Sequence, residues 1–247
     1  MGKHFTVIVP AFNVEGWIER CLDSAVGQDY PNSDFEVIVV DAESSDRTNV
    51  IARGYESRHP NVRVIRNEAR KFQVENLRLA NETARPDSIC MNLDGDDWFK
   101  DGNVLRTLDS IYDDNVWMTY GTYEEHPYRS VSQNYHSYPQ EVIESNGFRE
   151  YRWLASHLRT WRRGLMLAIR DEDLKDDDGR YYSMAGDTAV QFPMLEMSGN
   201  RSRYVPNILY VYNRSNPLSE DQVNINEQTR IANRIRSGRK YDRILSL

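Results

Sequence analysis

The stretch Ser88–Phe99, SICMNLDGDDWF, decides how this chain is read. An apolar run rich in strand formers stops at Asp94, Asp96 and Asp97, so carboxylates cluster at the end of what the pattern predicts to be a buried strand. Three acids within four residues repel one another, and taking them out of water is costly unless a cation or firm hydrogen bonds compensate. Hard oxygen ligands at alternate positions, Asp94 and Asp96, suit Mg²⁺ or Mn²⁺, which complete their shells with water and substrate phosphates. The competing reading is a turn in which Asp94 and Asp97 cap a following helix and Gly95 supplies an unusual backbone angle.

Working outward, Phe5–Pro10 (FTVIVP) reads as a strand that ends where Pro10 removes a backbone donor. Apolar Trp17, Ile18, Cys21, Leu22, Ala25 and Val26 then recur at helical spacing, predicting a helix from about Val14 to Gln28 with Asn13 as its cap. Phe35–Val40 (FEVIVV) has the apolar, β-branched character of an interior parallel strand and delivers Asp41 at its carboxyl end. A capping loop, Ala42–Thr48, precedes a predicted helix over Asn49–Arg58, a strand over Val62–Arg66 and a segment, Asn67–Glu82, that turns helical. The alternation predicts an α/β fold with a central, mostly parallel sheet flanked by helices. Ligands of such sheets bind outside the carboxyl ends of the strands, where Pro10, Asp41 and Asp94–Asp97 fall.

Composition sets the outer limits. The 247 residues suffice for one sizeable core, and 39% hydrophobic, 28% charged and 11% aromatic residues describe a folded chain rather than a disordered one. No stretch approaches the roughly 20 apolar residues that span a bilayer, and Lys3 leads straight into a strand without a signal-peptide pattern, so the expected location is cytoplasmic. Cys21 and Cys90 sit inside apolar patterns and read as buried free thiols. The net charge of −7 argues against broad attraction to nucleic acid. Asn81, Asn200 and Asn213 begin glycosylation-type triplets, read as chance without a secretory signal.

These residues resemble the family 2 glycosyltransferases of the GT-A, Rossmann-like nucleotide-diphosphosugar fold. The opening VIVPAFNVEGWIERCLDSAVGQDYPNSDFEVIVVDAESSDRT is similar to that family's N-terminal signature, and LDGDD to its DxD element. The resemblance is specific over Phe5–Phe99, weaker through Asn216, and absent from the final tail. It implies that Pro10, Ala11, Phe12 and Asn13 line a nucleotide pocket, that Asp41 hydrogen-bonds the nucleobase, and that Asp46 fixes the loop below it. It further implies that Asp94, Gly95 and Asp96 hold a sugar diphosphate through Mn²⁺ or Mg²⁺, Asp96 more directly. Two departures stand out: Ala42-Glu43 replaces an Asp-Gly pair, leaving Glu43 at a ribose-contact position, and Val74-Glu75-Asn76 replaces Ala-Arg-Asn, leaving Arg70 or Lys71 as the basic donor contact.

An inverting transferase needs a carboxylate to take the proton of the attacking hydroxyl. The dense acidic run Asp171–Asp178 reads as a solvated loop, whereas Met184-Ala-Gly-Asp187-Thr sets one acid before the helix-like Ala189–Met197 and resembles the family's base position. Asp187 is therefore the candidate base, with helix capping as the alternative. Ser156–Arg163 combines His157, basic residues including Arg159, and Trp161 before an apolar, strand-like Leu165–Ile169. His157 and Arg159 are candidate acceptor or diphosphate contacts, and His157 a further metal ligand or a structural residue. Trp153 and Trp161 read as core in preference to an acceptor platform. Arg203–Asn213 is a late strand, and Tyr212, Asn213 and Arg214 are candidate donor contacts near a closing loop.

From Glu220 the chain looks helical and basic, with Arg230, Arg234, Arg236, Arg239, Lys240 and Arg243 interspersed with Ile231, Ile235 and Ile244. A solvated helix, an oligomer contact and a surface for an anionic acceptor all fit that pattern. The expected organisation is a GT-A domain over 1–216, with nucleotide-binding (1–99) and acceptor-binding (100–216) halves, and a basic helical C-terminal extension over 217–247. The expected function is metal-dependent, inverting transfer of a sugar from a nucleoside diphosphate, UDP first, to a hydroxyl acceptor. Rival readings are glycosylation of hydroxylated nucleobases in DNA, which the acidic charge disfavours, a nucleotidyltransferase, which would need a Gly-rich loop after the first strand, and a non-catalytic sugar-nucleotide-binding module.

Overall fold

A computed structural model describes residues 2–217 and 224–247. Strands β1 (Phe5–Ala11), β2 (Phe35–Asp41), β3 (Val62–Arg66) and β4 (Ile89–Asn92) form the parallel half of a seven-stranded sheet ordered β3-β2-β1-β4-β8-β6-β9. The rest is β6 (Met118–Gly121), β8 (Ser156–Arg162) and β9 (Ser202–Val205); β8 is antiparallel to both β4 and β6, while β6 and β9 are parallel. A small second sheet holds β5 (Trp98–Phe99), β10 (Tyr210–Asn213) and β7 (Glu124–His126) in the order β5-β10-β7. The α/β architecture expected from the alternating pattern is thus the one observed.

Both faces of the large sheet are covered. Phe5, Val7 and Val9 of β1 join Val37 and Val39 of β2 on the face packed by helices α1 (Ile18–Val26), α2 (Thr48–Arg58) and α4 (Val104–Ile111). Ile8, Ile38 and Val40 point the other way, toward α3 (Gln73–Thr83), α6 (Arg163–Leu167), α7 (Gly186–Ser198) and α8 (Ile225–Ser237). This alternation on strands that are apolar throughout is why β1 and β2 read as interior strands. A short helix, α5 (Gln140–Glu144), lies in the connection between β7 and β8.

Several local expectations are corrected. Helix α1 starts at Ile18, and Asn13 does not cap it: Asn13 turns the chain at φ 51° and its Oδ1 accepts from Ser45 N and Oγ. The amides of Val14 and Glu15 are satisfied across the loop by Thr48 Oγ1 and Asp46 Oδ2, so the first turn is spent joining two loops. Asp94 and Asp97 cap no helix, since β5 follows and α4 begins only at Val104. Gly95 has no left-handed backbone; a Cβ there would lie 3.1 Å from Pro10 O and 3.2 Å from Val14 Cγ2, so close approach explains the glycine. The strand near His157 is Ser156–Arg162 itself, and Leu165–Ile169 starts inside helix α6. Arg203–Asn213 is broken at Pro206 into β9 and β10, in different sheets.

The tail is more than a solvated helix. Ile231 and Ile235 are each only 5% exposed and belong to the core that contains α7. The Glu220–Val223 part of the expected helix lies outside the described residues. Among the described residues no helix is long and apolar enough to cross a membrane. Cys21 and Cys90 are buried and free, and burial pushes both thiols up.

Candidate active site

The carboxyl ends of β1 and β4 border a cleft of about 510 Å³. Pro10, Ala11, Phe12 and Asn13 follow β1 into it, and Asp94, Gly95 and Asp96 follow β4. Strand β8 contributes His157 and Arg159, the start of α7 contributes Asp187, and β10 contributes Tyr212. Lys71 lines it as well, paired with Glu75 at 2.8 Å. Residues more than a hundred positions apart are therefore brought to one rim, as expected where parallel strands end.

Four expected contacts do not line the cleft: Glu43, Arg214, Asp41 and Asn213, the last buried with its Nδ2 donating to Asp96 O at 3.1 Å. Glu43 is exposed with φ 67°, a left-handed backbone that costs a non-glycine residue strain. Arg214 stacks over the Tyr212 ring at 5.5 Å and approaches Glu125. Asp41 is fully buried behind Ala42, which does line the cleft. Its Oδ1 accepts from Ser44 N at 2.9 Å; among the described residues its Oδ2 has no hydrogen-bond donor, with the half-exposed Arg66 Nε at 3.5 Å. A buried carboxylate oxygen left without a donor is costly, and an incoming N–H would relieve that cost.

The acidic turn is built in two layers. Asp97 is buried, with its Oδ2 accepting from Tyr210 Oη at 2.5 Å and its Oδ1 from Asn213 N at 2.7 Å. Burial, then repulsion from Asp96 and Asp94, pushes its carboxyl well above the usual carboxylate range. Asp94 Oδ1 accepts from Gln73 Nε2 at 2.7 Å and Asn92 Nδ2 at 3.0 Å, and Asp96 Oδ2 from Asn216 Nδ2 at 2.7 Å. Gln73, Asn92, Asn216 and Tyr210 donate to these acids as neutral groups and bring no positive charge to the turn. Among the described residues no three His, Cys, Asp or Glu side chains gather to hold a metal. Two hard carboxylates on a cleft fit Mg²⁺ or Mn²⁺ that takes its other ligands from phosphate and water.

His157 is buried, its ring stacked on Tyr210 at 4.4 Å between centroids and its Nε2 3.3 Å from Arg159 Nη2. Burial, then the Arg159 charge, lowers its pKa well below the ordinary value, so the imidazole is neutral at pH 7. Arg159 also donates from Nη2 to Asp187 Oδ2 at 3.0 Å, which orients that carboxylate. Asp187 is not the cap of α7: Ala185, at φ 55°, is, and Asp187 lies within the first turn. Gly186 packs so tightly on α3 that a Cβ would sit 2.8 Å from Val74 Cγ2 and 2.9 Å from Gln73 Oε1. Gln73 thereby connects the Asp94 turn with the start of α7.

Gln73, Asn76, Gly186, Asn216 and Gln228 also line the cleft, and sequence reading missed them. Gln73 and Gly186 neighbour residues already singled out, whereas the Asn216 contact spans 120 positions and carries no local signal. Trp161 is core, fully buried with its Nε1 donating to Asn81 Oδ1 at 2.9 Å, and Trp153 packs on Phe192. The acidic run is tied down by Arg170 and Lys175, and Asp177 pairs with Arg234.

The sequence profile of "Glycosyl transferase family 2" matches residues 6–171. The chain belongs to that family. A dolichyl N-acetyl-alpha-D-glucosaminyl phosphate 3-beta-D-2,3-diacetamido-2,3-dideoxy-beta-D-glucuronosyltransferase of Methanococcus voltae is 34% identical over 68 residues, 27% of this family 2 chain and 21% of that protein. Glycosyltransferase AglE of Haloferax volcanii is 29% identical over 124 residues, 47% of this chain and 40% of its own length. This chain thus matches less than half of either relative.

Among solved structures, residues 1–349 of S. aureus TarS in complex with UDP-GlcNAc superpose with a TM-score of 0.66 at 21% identity, covering 86% of this chain and 59% of that one. The mannosyltransferase PcManGT of Pyrobaculum calidifontis, in complex with GDP-Man and Mn²⁺, gives a TM-score of 0.64 at 21% identity, covering 98% and 66%. At such identities the likeness is one of fold, and that fold is GT-A.

Proposed function

We propose that this family 2 chain is a metal-dependent, inverting glycosyltransferase that moves a sugar from a nucleoside diphosphate to a hydroxyl acceptor. The observation that carries the reading is the gathering of Asp94, Asp96 and Asp187 in one cleft, with Gln73 linking the acidic turn to the start of α7. Pro10–Asn13 receive the nucleoside, with the open Oδ2 of Asp41 behind them as acceptor for a base N–H, uracil first. Lys71 and Arg70 supply positive charge near the diphosphate, and His157, Arg159 and Tyr212 border the space where sugar and acceptor meet. Asp96 and Asp94 would hold Mn²⁺ or Mg²⁺, which when bound would supply positive charge against the departing diphosphate. The nucleotide-binding half is 1–99 and the acceptor-binding half 100–216. With no membrane-crossing helix among the described residues, a cytoplasmic location is the simplest placement.

In the reaction, the acceptor hydroxyl oxygen attacks the anomeric carbon from the side opposite the diphosphate. The carbon–oxygen bond to the diphosphate breaks, its electron pair leaves with the nucleoside diphosphate, and the hydroxyl proton passes to the Asp187 carboxylate. Arg159 keeps that carboxylate aimed. The test is Asp187→Asn, assayed with a set of nucleotide sugars for release of nucleoside diphosphate and for donor affinity. The reading predicts that release drops by about 10²-fold or more while affinity stays the same. Release unchanged by the substitution would remove Asp187 as base.

A further inference from the structure

A second, smaller cavity of about 260 Å³ lies between α8 and the loop that leads into α7. Phe72, at the start of α3, lines both this cavity and the main cleft. Two chain segments run along both spaces. Tyr181, Tyr182 and Ser183 face the small cavity, and the same strand of chain continues to Ala185, Gly186 and Asp187 in the cleft. On α8, Arg230 faces the small cavity while Gln228, two residues earlier, lines the cleft. The cavity thus adjoins the cleft on the side of the proposed base, where an acceptor must enter.

Its lining has the chemistry of a carbohydrate site. Tyrosine rings offer apolar faces for the C–H side of a sugar, and carboxylates and guanidinium groups offer paired acceptors and donors for vicinal hydroxyls. The charges are balanced: Arg230 pairs with Glu227, Arg180 with Asp176 and Asp178, and Arg234 with Asp177 while hydrogen-bonding Tyr182. A polyanion such as nucleic acid or a polyphosphate would need unopposed cations, and balanced pairs disfavour it.

We infer that this cavity is an acceptor subsite that holds an inner sugar unit of a neutral oligosaccharide whose terminal hydroxyl reaches Asp187. The inference rests on the transferase reading and adds the acceptor class to it. Arg230 is exposed and Ser183 partly exposed, so both can be changed with little effect on folding.

The experiment applies the full chain to an array of neutral and anionic oligosaccharides of two to six units, with UDP titrated into the same samples. Wild-type protein is expected to bind neutral oligosaccharides, and Arg230→Ala and Ser183→Trp to weaken that binding about tenfold or more. Thermal midpoints near wild type would show that both variants fold. The inference is overturned if no oligosaccharide binds, if only anionic ones bind, or if both variants bind as wild type does. Failure of wild type to bind any nucleotide, with oligosaccharide binding intact, would strike the transferase reading instead.

Discussion

Breaking the buried ion pair under the C-terminal helix should cost several kcal/mol, and removing both partners together should cost much less. Arg149 and Glu196 have side chains 4% and 0% exposed. Arg149 Nε donates to Glu196 Oε1 at 2.5 Å and Nη2 to Oε2 at 3.0 Å, while Nη1 donates to Ile235 O of α8 at 2.5 Å. Glu196 Oε2 accepts from Tyr241 N at 3.0 Å. One pair thus ties α7 to both α8 and the segment after it. Removing a single partner strands a buried charge, a loss of about 3–5 kcal/mol, whereas an apolar pair of similar volume avoids that penalty. For a chain of this size each kcal/mol shifts the midpoint by about 2–4 °C, so Arg149→Met or Glu196→Met should lower Tm by about 6–20 °C. The assay is thermal and urea unfolding followed by circular dichroism on both single variants and the double variant. Single-variant losses below about 1 kcal/mol, or a double variant showing the full sum of the singles, would refute this account of how α8 is held.

Two further outcomes are expected. Gly186→Ala forces a Cβ into Val74 and Gln73, so the start of α7 must shift; turnover should fall by about tenfold or more with a smaller change in donor affinity, read by steady-state kinetics. His4, buried beside Ser88 Oγ, has its pKa lowered by burial and then by Arg85. A depressed histidine pKa means the unfolded chain takes the proton first, so the contribution is full above the unfolded value near 6.5 and is lost as pH falls below it. His4→Gln should therefore lose less Tm than wild type between about pH 7 and pH 5.5; equal losses would contradict the assignment.

Much of the parallel part of the sheet was legible because its signals are local. FTVIVP and FEVIVV are continuous apolar runs, and the acids that follow β4 stop the pattern abruptly. Leu165–Ile169 was misread as strand because a five-residue apolar run has no period long enough to distinguish strand from helix. Asn13 was misread as a cap because its acceptor serves Ser45, thirty-two residues away. The Asn216 contact to Asp96 and the Gln73 bridge are products of tertiary packing, and nothing in the flanking residues encodes them. The apolar face of α8 was visible as Ile231 and Ile235, yet its docking depends on Arg149 and Glu196, far away in the chain.

The central claim is a nucleoside diphosphate held through a divalent cation at the Asp94–Asp96 turn. The most direct measurement is calorimetric titration of UDP and GDP with and without Mn²⁺, on the wild-type chain and on Asp96→Ala. The account predicts nucleotide binding, UDP tighter than GDP, that requires Mn²⁺ and is lost in Asp96→Ala while the fold is retained. Nucleotide binding of equal strength without Mn²⁺, or in Asp96→Ala, would contradict it.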